Sequence, residues 1–176
     1  MSKIHFGRMG FIAHNIVPED FKSLNYVTEE FNDPVTQAKW ESIGHKPPFT
    51  GAMCDMRQTQ PPWNSKVIDF FRTHNHWLNI GTSYYRMDPG TVLPNHADTY
   101  NRYVELFKLK GREDRIFRAV IFLEDWQPGH YAEYDGRPFV NWSKGDFVVW
   151  QNDLPHMAAN IGSTPRYTLQ VTGHVA

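Results

Sequence analysis

Hydrophobic positions in the first part of the chain are spaced like those of helices. Between Pro18 and about Ile43, and again after Pro62, apolar residues recur every three or four positions among charged neighbours, which is the spacing of one helix face. These residues are Phe21, Leu24, Val27 and Phe31 in the first segment and Val67, Ile68, Phe70 and Phe71 in the second. The pattern predicts helices that cover a core formed elsewhere in the chain.

From Trp77 onward the apolar residues are mostly β-branched or aromatic and come in short runs separated by Gly, Pro, Asn and Asp. The runs are WLNIGTSYYRM, FRAVIFLED, GDFVVWQND, HMAANIG and RYTLQVTG. Many short strands at close spacing are typical of a jelly roll or barrel. We therefore predict an α+β, mainly β protein of one domain over residues 1–176, with a helical cover over about 1–76 and a jelly-roll core over about 77–176.

The last run separates its side chains by polarity, because alternate residues of a strand point to opposite faces of the sheet. One face carries Arg166, Thr168, Gln170 and Thr172, and the other carries Tyr167, Leu169 and Val171. If the apolar face packs under the helices, the polar face lines the interior of the barrel. A polar interior indicates a binding site, and His156, Ala158 and Asn160 share a face in the preceding run.

A metal site is predicted from two histidines and one aspartate. His96 and Asp98 are separated by one residue, so an extended chain places imidazole and carboxylate on one face. His156 is positioned to supply a third ligand, which would complete the facial triad of two histidines and one carboxylate that non-haem Fe(II) enzymes use. The alternatives are a surface hydrogen bond for His96 and Asp98, a structural strand histidine for His156 and an exposed cation for Arg166.

Composition narrows the possible partners. The formal net charge is -1 and the isoelectric point is about 6.7, so the chain lacks the basic field that nucleic acids or anionic membranes require. Cys54 is the only cysteine, which excludes an internal disulfide and a cysteine-based zinc or iron-sulfur site. With no apolar run of about 18 residues, the sequence predicts a cytoplasmic protein with neither a membrane nor a nucleic-acid partner.

Between Tyr84 and Gly173 the chain resembles the 2-oxoglutarate and Fe(II)-dependent oxygenases, in particular the aspartyl/asparaginyl hydroxylases and small prolyl hydroxylases. The resemblance implies a double-stranded β-helix, a cupin-like jelly roll, with His96, Asp98 and His156 as iron ligands. It also implies that Arg166 pairs with the distal carboxylate of 2-oxoglutarate, because an arginine binds a carboxylate through two parallel hydrogen bonds. Thr168 would add a hydroxyl donor to that carboxylate. Arg118, in RIFRAVIFLED, resembles an arginine that contacts substrate or cosubstrate.

Some aspartyl hydroxylases lack the acidic ligand, whereas this chain has Asp98, so it is more similar to hydroxylases with a full triad than to halogenases. The implied activity is hydroxylation of an aliphatic C–H bond of an amino acid or short peptide, with Fe(II) as cofactor and 2-oxoglutarate and O2 as cosubstrates. The cosubstrate would leave as succinate and carbon dioxide.

Two other function classes remain open. A metal-binding cupin enzyme that does not use 2-oxoglutarate would keep the three ligands without needing Arg166. A non-catalytic jelly-roll module that binds a sugar or peptide would need neither the three metal ligands nor Arg166. Four aromatic or imidazole side chains are candidates for the mouth of the site, although aromatic residues near a barrel more often belong to the core. They are Trp126, His130, Tyr131 and Trp150.

Overall fold

The computed structural model describes residues 4–31, 33–46, 51–55 and 61–176. Its helices are short, and most precede the β-rich part of the chain. They are α1 (Gly10–Asn15), α2 (Glu19–Lys22), α3 (Pro34–Ser42), α4 (Asn64–Asn75) and α5 (Asn101–Phe107), with a 3-10 turn at Glu113–Arg115. Within the described ranges, none of the helices is long and apolar enough to cross a membrane.

Eleven strands are present in the described part of the chain. They are β1 (Ile4–Arg8), β2 (Val27–Thr28), β3 (Ala52–Asp55), β4 (Leu78–Met87), β5 (Thr91–His96), β6 (Ile116–Phe122), β7 (His130–Tyr134), β8 (Arg137–Phe139), β9 (Asp146–Gln151), β10 (His156–Asn160) and β11 (Arg166–His174). All pair antiparallel, in a seven-stranded sheet of order β1-β9-β6-β11-β4-β3-β2 and a four-stranded sheet of order β5-β10-β7-β8. These two facing sheets form the predicted jelly roll.

The large sheet buries its two faces differently. Tyr167, Leu169 and Val171 of β11 pack on the outer face against Phe21 of α2 and Phe71 of α4, in one continuous apolar core. The opposite face of β11 turns its polar side chains toward the small sheet and lines a cavity there. The predicted orientation of the last strand is therefore confirmed, because helices cover its apolar face.

The helix predictions are confirmed only in part. The pattern after Pro62 forms α4, as expected. The segment from Pro18 to Ile43 does not form continuous helix, because Val27 and Thr28 pair as β2 with Met53 and Ala52 at the edge of the large sheet. Helix α3 then starts anew at Pro34, where the Asp33 side chain accepts a hydrogen bond from the Thr36 N–H at 3.2 Å and so satisfies a free helix donor.

The boundary between cover and core is also less sharp than expected. Strands β1, β2 and β3 belong to the first 76 residues, yet all three are part of the large sheet. Strands β5, β7 and β8 and helix α5 were not predicted either. Polar or proline-containing sequences such as TVLPNH have only a weak local preference for strand. They form strands here because hydrogen bonding to a neighbouring strand compensates for that weak preference.

Candidate metal centre

The three predicted ligands meet between the sheets. His96 is the last residue of β5, His156 is the first residue of β10, and the two are direct partners in the antiparallel register. Asp98 lies two residues beyond the end of β5. One ligand atom from each of the three residues lies within 4.8 Å of the others. Nε2 of His96 is 3.9 Å from Asp98 Oδ1, and Nε2 of His156 is 3.8 Å from Asp98 Oδ2.

Backbone carbonyls orient both imidazole rings. His96 Nδ1 is 2.8 Å from the Pro94 carbonyl oxygen, and His156 Nδ1 is 2.9 Å from the Leu154 carbonyl oxygen. Because a carbonyl only accepts hydrogen bonds, each Nδ1 carries the proton and each Nε2 keeps its lone pair. Both free nitrogens face Asp98. A hydrogen bond of this kind fixes the tautomer and the ring plane of histidines that bind metals.

Aromatic side chains pack around the two rings. Phe31 and Trp40 contact the His96 ring edge-on at centroid distances of 5.0 and 5.8 Å, and Trp150 lies 4.9 Å from the His156 ring. Trp40 also donates its indole N–H to the Asn95 carbonyl at 3.1 Å. Helix α3 therefore braces the end of β5, which the sequence pattern alone did not indicate.

The protonation states suit a metal. Burial and, to a smaller extent, the adjacent His156 imidazole lower the pKa of His96 to about 4, so His96 is neutral near pH 7. Burial by itself would raise the pKa of Asp98, but Arg118 and the two imidazoles outweigh it and bring that pKa to about 2. A neutral His96 imidazole and an ionised Asp98 carboxylate are therefore available together.

Arg118 on β6 interacts with the ligand carboxylate. Its Nη2 is 3.5 Å from Asp98 Oδ2, its Nη1 donates to the Gln170 side-chain oxygen, and its guanidinium lies 4.9 Å from the centre of the Tyr100 ring. Burial disfavours the cation, but Asp98 and Tyr100 outweigh it and raise the pKa of Arg118. Arg118 therefore neutralises Asp98 in the metal-free protein, while contact with substrate or cosubstrate stays a prediction.

Arg166 is a buried cation at the start of β11. It is 8% exposed, and its Nη1 donates to the Tyr131 carbonyl oxygen at 2.7 Å. No carboxylate of the described residues forms an ion pair with it, and its buried Nε has no hydrogen-bond partner. Burial lowers the pKa of Arg166 to about 10, against the opposing influence of Tyr134. A buried, uncompensated cation is unfavourable, so this arginine fits an anionic ligand.

All six predicted site residues line one cavity of about 840 Å³ between the sheets. They are His96, Asp98, His156, Arg118, Arg166 and Thr168. Thr168 is buried two positions after Arg166 on the same face of β11. The structure therefore brings the metal ligands and the cosubstrate candidates together.

Of the four side chains predicted to line the mouth of the site, only one lines the cavity. Trp150 lines the cavity, whereas the side chains of Trp126, His130 and Tyr131 do not. The Trp126 indole donates to the His130 carbonyl at 2.7 Å, and His130 Nε2 is 2.9 Å from the Thr164 carbonyl oxygen. These contacts brace the turn that precedes Arg166. Burial lowers the pKa of His130, which leaves it neutral as a structural group.

The cavity residues that sequence reasoning missed include Glu29, Tyr85 and Tyr100. Tyr85 pairs with Thr168 in register, and the alternation of Ser83, Tyr85 and Met87 along β4 is the signal that would have placed it on the inner face. Tyr100 follows Asp98 by two residues, and its backbone lies in the left-handed region at φ 54. Nothing in the local sequence marks Glu29.

Comparison with known proteins yields structural neighbours only. No family model and no curated protein matches the chain. A prolyl-4-hydroxylase from Pseudomonas putida superposes over 94% of this chain and 100% of its own, with a TM-score of 0.55 and 15% identity. The chain has the double-stranded β-helix fold.

Smaller proteins with this fold match less of the chain. A Klebsiella pneumoniae protein with a double-stranded β-helix domain gives a TM-score of 0.39 at 13% identity, over 56% of this chain and 70% of its own. A Thermotoga maritima protein described as a predicted oxalate decarboxylase gives a TM-score of 0.42 at 14% identity. The match covers 70% of this chain and 80% of that protein.

Proposed function

We propose that this protein is a non-haem Fe(II) and 2-oxoglutarate-dependent dioxygenase that hydroxylates an aliphatic C–H bond of an amino acid or peptide. The observation that carries the proposal is the position of Arg166, a buried cation without a carboxylate partner among the described residues, in the same cavity as His96, Asp98 and His156. A metal-binding cupin enzyme that does not use 2-oxoglutarate has no use for that cation.

The donor set fits the metal. Two imidazoles and one carboxylate on one side of a cavity leave coordination positions open toward the other side, and this ligand set is typical of Fe(II) oxygenases. His96 and His156 would bind through Nε2, and Asp98 through a carboxylate oxygen. When bound, Fe(II), 2-oxoglutarate and O2 supply the oxidation of an unreactive C–H bond, with succinate and carbon dioxide as coproducts.

The chain itself supplies binding, orientation and exclusion of water. Arg166 and Thr168 would hold the distal carboxylate of 2-oxoglutarate through charge-assisted hydrogen bonds. Arg118 holds the Asp98 carboxylate between its guanidinium and the histidines. The apolar side chains of Val120, Phe122 and Trp150 line the cavity between these groups and keep the local dielectric low.

The test is anaerobic titration of the purified protein with Fe(II) and then 2-oxoglutarate. A visible charge-transfer band and, after O2 is admitted, release of succinate are expected. His96→Ala, Asp98→Ala and His156→Ala should each lose stoichiometric Fe(II) binding while the domain stays folded. Tight Fe(II) binding without the band would favour a cupin enzyme that does not use 2-oxoglutarate, and no metal binding would favour a binding module.

A further inference from the structure

The cavity continues beyond the metal and cosubstrate residues to the edge of the large sheet. The triad, Arg118 and Arg166 line one half. The other half is formed by the inner faces of β4 and β3 and by Glu29, which directly follows β2. The cosubstrate is assigned to the first half under the proposed function, so the second half is available for the substrate. Its residues should determine which substrate class is bound.

Glu29 is placed in this half by the sheet register. Its backbone N–H donates to the Gly51 carbonyl at 3.2 Å, Gly51 lies beside Met87, and Met87 pairs with Arg166. Strands of a sheet are about 4.8 Å apart, so Glu29 lies about 14 Å from Arg166 across three strand spacings. An added Cβ at Gly51 would lie 2.3 Å from the Arg86 carbonyl oxygen, so glycine is needed for this close approach of the strands. The distance of about 14 Å leaves room for a substrate between the cosubstrate and Glu29.

The Glu29 carboxylate is half-buried and has no cationic partner. Burial raises its pKa, against the opposing influence of the nearby Tyr85 hydroxyl and of Arg118. No Lys, Arg or His of the described residues forms an ion pair with it. A carboxylate in this position is expected to bind a donor, and a charged donor most strongly.

The arginines of the cavity have other partners. Arg118 contacts Asp98, and Arg166 is assigned to 2-oxoglutarate. Arg86 forms an ion pair with Asp88 at 3.0 Å and lies over the Tyr26 ring. Arg102 also lines the cavity at an exposed position, as do the carboxylates of Glu30, Asp33 and Glu105. Together with Glu29, these carboxylates outnumber Arg102, which favours cations over anions.

A buried hydroxyl also faces the cavity. Tyr100 is 7% exposed, and its hydroxyl lies beside Asp98 and Arg118 without a hydrogen bond of good geometry to any described residue. Buried polar atoms are normally paired, so this hydroxyl fits a polar group of a ligand between the metal ligands and the substrate half. It indicates, independently of the carboxylates, that a polar molecule occupies the cavity.

We infer that Glu29 binds a cationic group of the substrate, an amine or a guanidinium, and that the enzyme acts on a basic amino acid or on a peptide with a basic side chain. This inference rests on the proposed function. Glu29 is then the specificity-determining residue. The C–H bond to be oxidised lies between the cationic group and the metal ligands.

The experiment compares matched probes with the Fe(II)-loaded enzyme, 2-oxoglutarate and O2. L-Arginine is compared with its neutral isostere L-citrulline, and L-lysine with L-norleucine, each free and as the N-acetyl amide, by succinate released above the substrate-free rate. In wild-type protein the cationic member of a pair should have a kcat/KM about 10 to 100 times that of the neutral member. Equal responses, or no response to any cationic probe, would overturn the inference.

Variants assign the preference to Glu29. Glu29→Gln keeps the size and shape of the side chain but removes its charge, so KM for the cationic probe should rise about 10 to 100 times while the melting temperature is unchanged. Glu41→Gln removes an exposed carboxylate of α3 outside the cavity and should preserve the preference. An unchanged preference in Glu29→Gln would overturn the inference.

Calorimetric titration of arginine amide into metal-free protein separates this inference from the proposed function. Binding that Glu29→Gln weakens and Glu41→Gln does not would support the cation site even if no charge-transfer band forms with Fe(II) and 2-oxoglutarate. If the band and uncoupled succinate release are present but arginine amide does not bind, the oxygenase proposal stands and the cation site is wrong.

Discussion

At the scale of single residues, two arginines of the same cavity are in opposite situations. Arg118 has a carboxylate partner in the metal-free protein, because Asp98 lies 3.5 Å away. Arg166 contacts a backbone carbonyl, and no carboxylate of the described residues forms an ion pair with it. The same guanidinium group should therefore contribute to the stability of the domain in one case and to ligand affinity in the other.

Substitution of Arg166 should affect 2-oxoglutarate binding specifically. Removing one partner of a buried charged pair costs about 3 to 5 kcal/mol, so Arg166→Ala should weaken 2-oxoglutarate binding by about two to three orders of magnitude. Arg166→Lys should recover only part of this, because an ammonium lacks the planar fork of the guanidinium. Fe(II) affinity should stay near that of the wild type. Anaerobic titration measures the dissociation constants of Fe(II) and 2-oxoglutarate. An unchanged dissociation constant for 2-oxoglutarate in Arg166→Ala would contradict the assignment of Arg166 to this cosubstrate.

Substitution of Arg118 should affect stability specifically. Arg118→Met leaves the Asp98 carboxylate buried without its cation, and the free energy of unfolding of the metal-free protein should fall by about 2 to 3 kcal/mol, less than for a fully buried pair because some solvent reaches this one. Urea denaturation measures the loss, with the exposed Arg137→Met as control. The 2-oxoglutarate constant should change less than in Arg166→Ala, and a larger change would show that Arg118 contacts the cosubstrate.

At the scale of elements, the connection from β10 to β11 sets the distance between metal and cosubstrate residues. Asn160, at the end of β10, is fully buried, and its side-chain amide donates to the Met87 and Thr164 carbonyls at 2.8 Å each. Its side-chain oxygen accepts from the Gly162 N–H at 3.1 Å. Gly129, at φ +92, packs so closely on this turn that an added Cβ would lie 2.3 Å from the Gly162 nitrogen. The turn is therefore clamped from two sides.

Asn160→Ala should loosen this turn. Two carbonyls and one N–H would lose their buried partner, which should reduce the free energy of unfolding by about 3 kcal/mol. The dissociation constant of 2-oxoglutarate should rise more than that of Fe(II), because Arg166 follows the turn while the three proposed metal ligands do not. Urea denaturation and the two anaerobic titrations check this, with the exposed Asn75→Ala at the end of α4 as control. Equal weakening of both constants would argue against a local effect of the turn.

At the scale of the whole molecule, the candidate metal centre joins segments that are far apart in the chain. His96 ends one strand of the small sheet and Asp98 lies two residues beyond it, His156 starts another strand, and Arg118 comes from the large sheet. A metal that binds all three ligands therefore connects loops and strands that only the folded state brings together. Metal binding should stabilise the entire double-stranded β-helix, because unfolding must break the site.

Metal addition should raise the melting temperature. A ligand at about 100 times its dissociation constant adds about 2.7 kcal/mol to the free energy of unfolding, which corresponds to an increase of about 5 to 10 °C for a domain of this size. Fe(II) under anaerobic conditions, or Mn(II) in air, should produce this shift, and a chelator should reverse it. Asp98→Ala should abolish the shift and the exposed Asp114→Ala should retain it. A wild-type melting temperature that does not respond to either metal would contradict the site.

The sequence by itself determined the chemistry of the inner strands. The alternation from Arg166 to Thr172 identified the polar face of β11, because the side-chain period of a strand is fixed by its backbone geometry. The spacing of His96 and Asp98, together with His156, pointed to three candidate metal ligands that the structure brings within 4.8 Å of one another. Helix α4 was also readable, since its apolar positions follow the helical period over most of the element.

Only the tertiary structure decided which elements join the sheet and which side chains meet across the cavity. Val27 and Thr28 fit a helical pattern, but they form a strand because pairing with β3 outweighs their weak local preference for helix. The contact of Arg118 with Asp98, the clamp of Asn160 on Met87 and the position of Glu29 opposite Arg166 each join residues separated by between 20 and 137 positions. Local periodicity carries no information about such pairs, because sheet order and register bring them together.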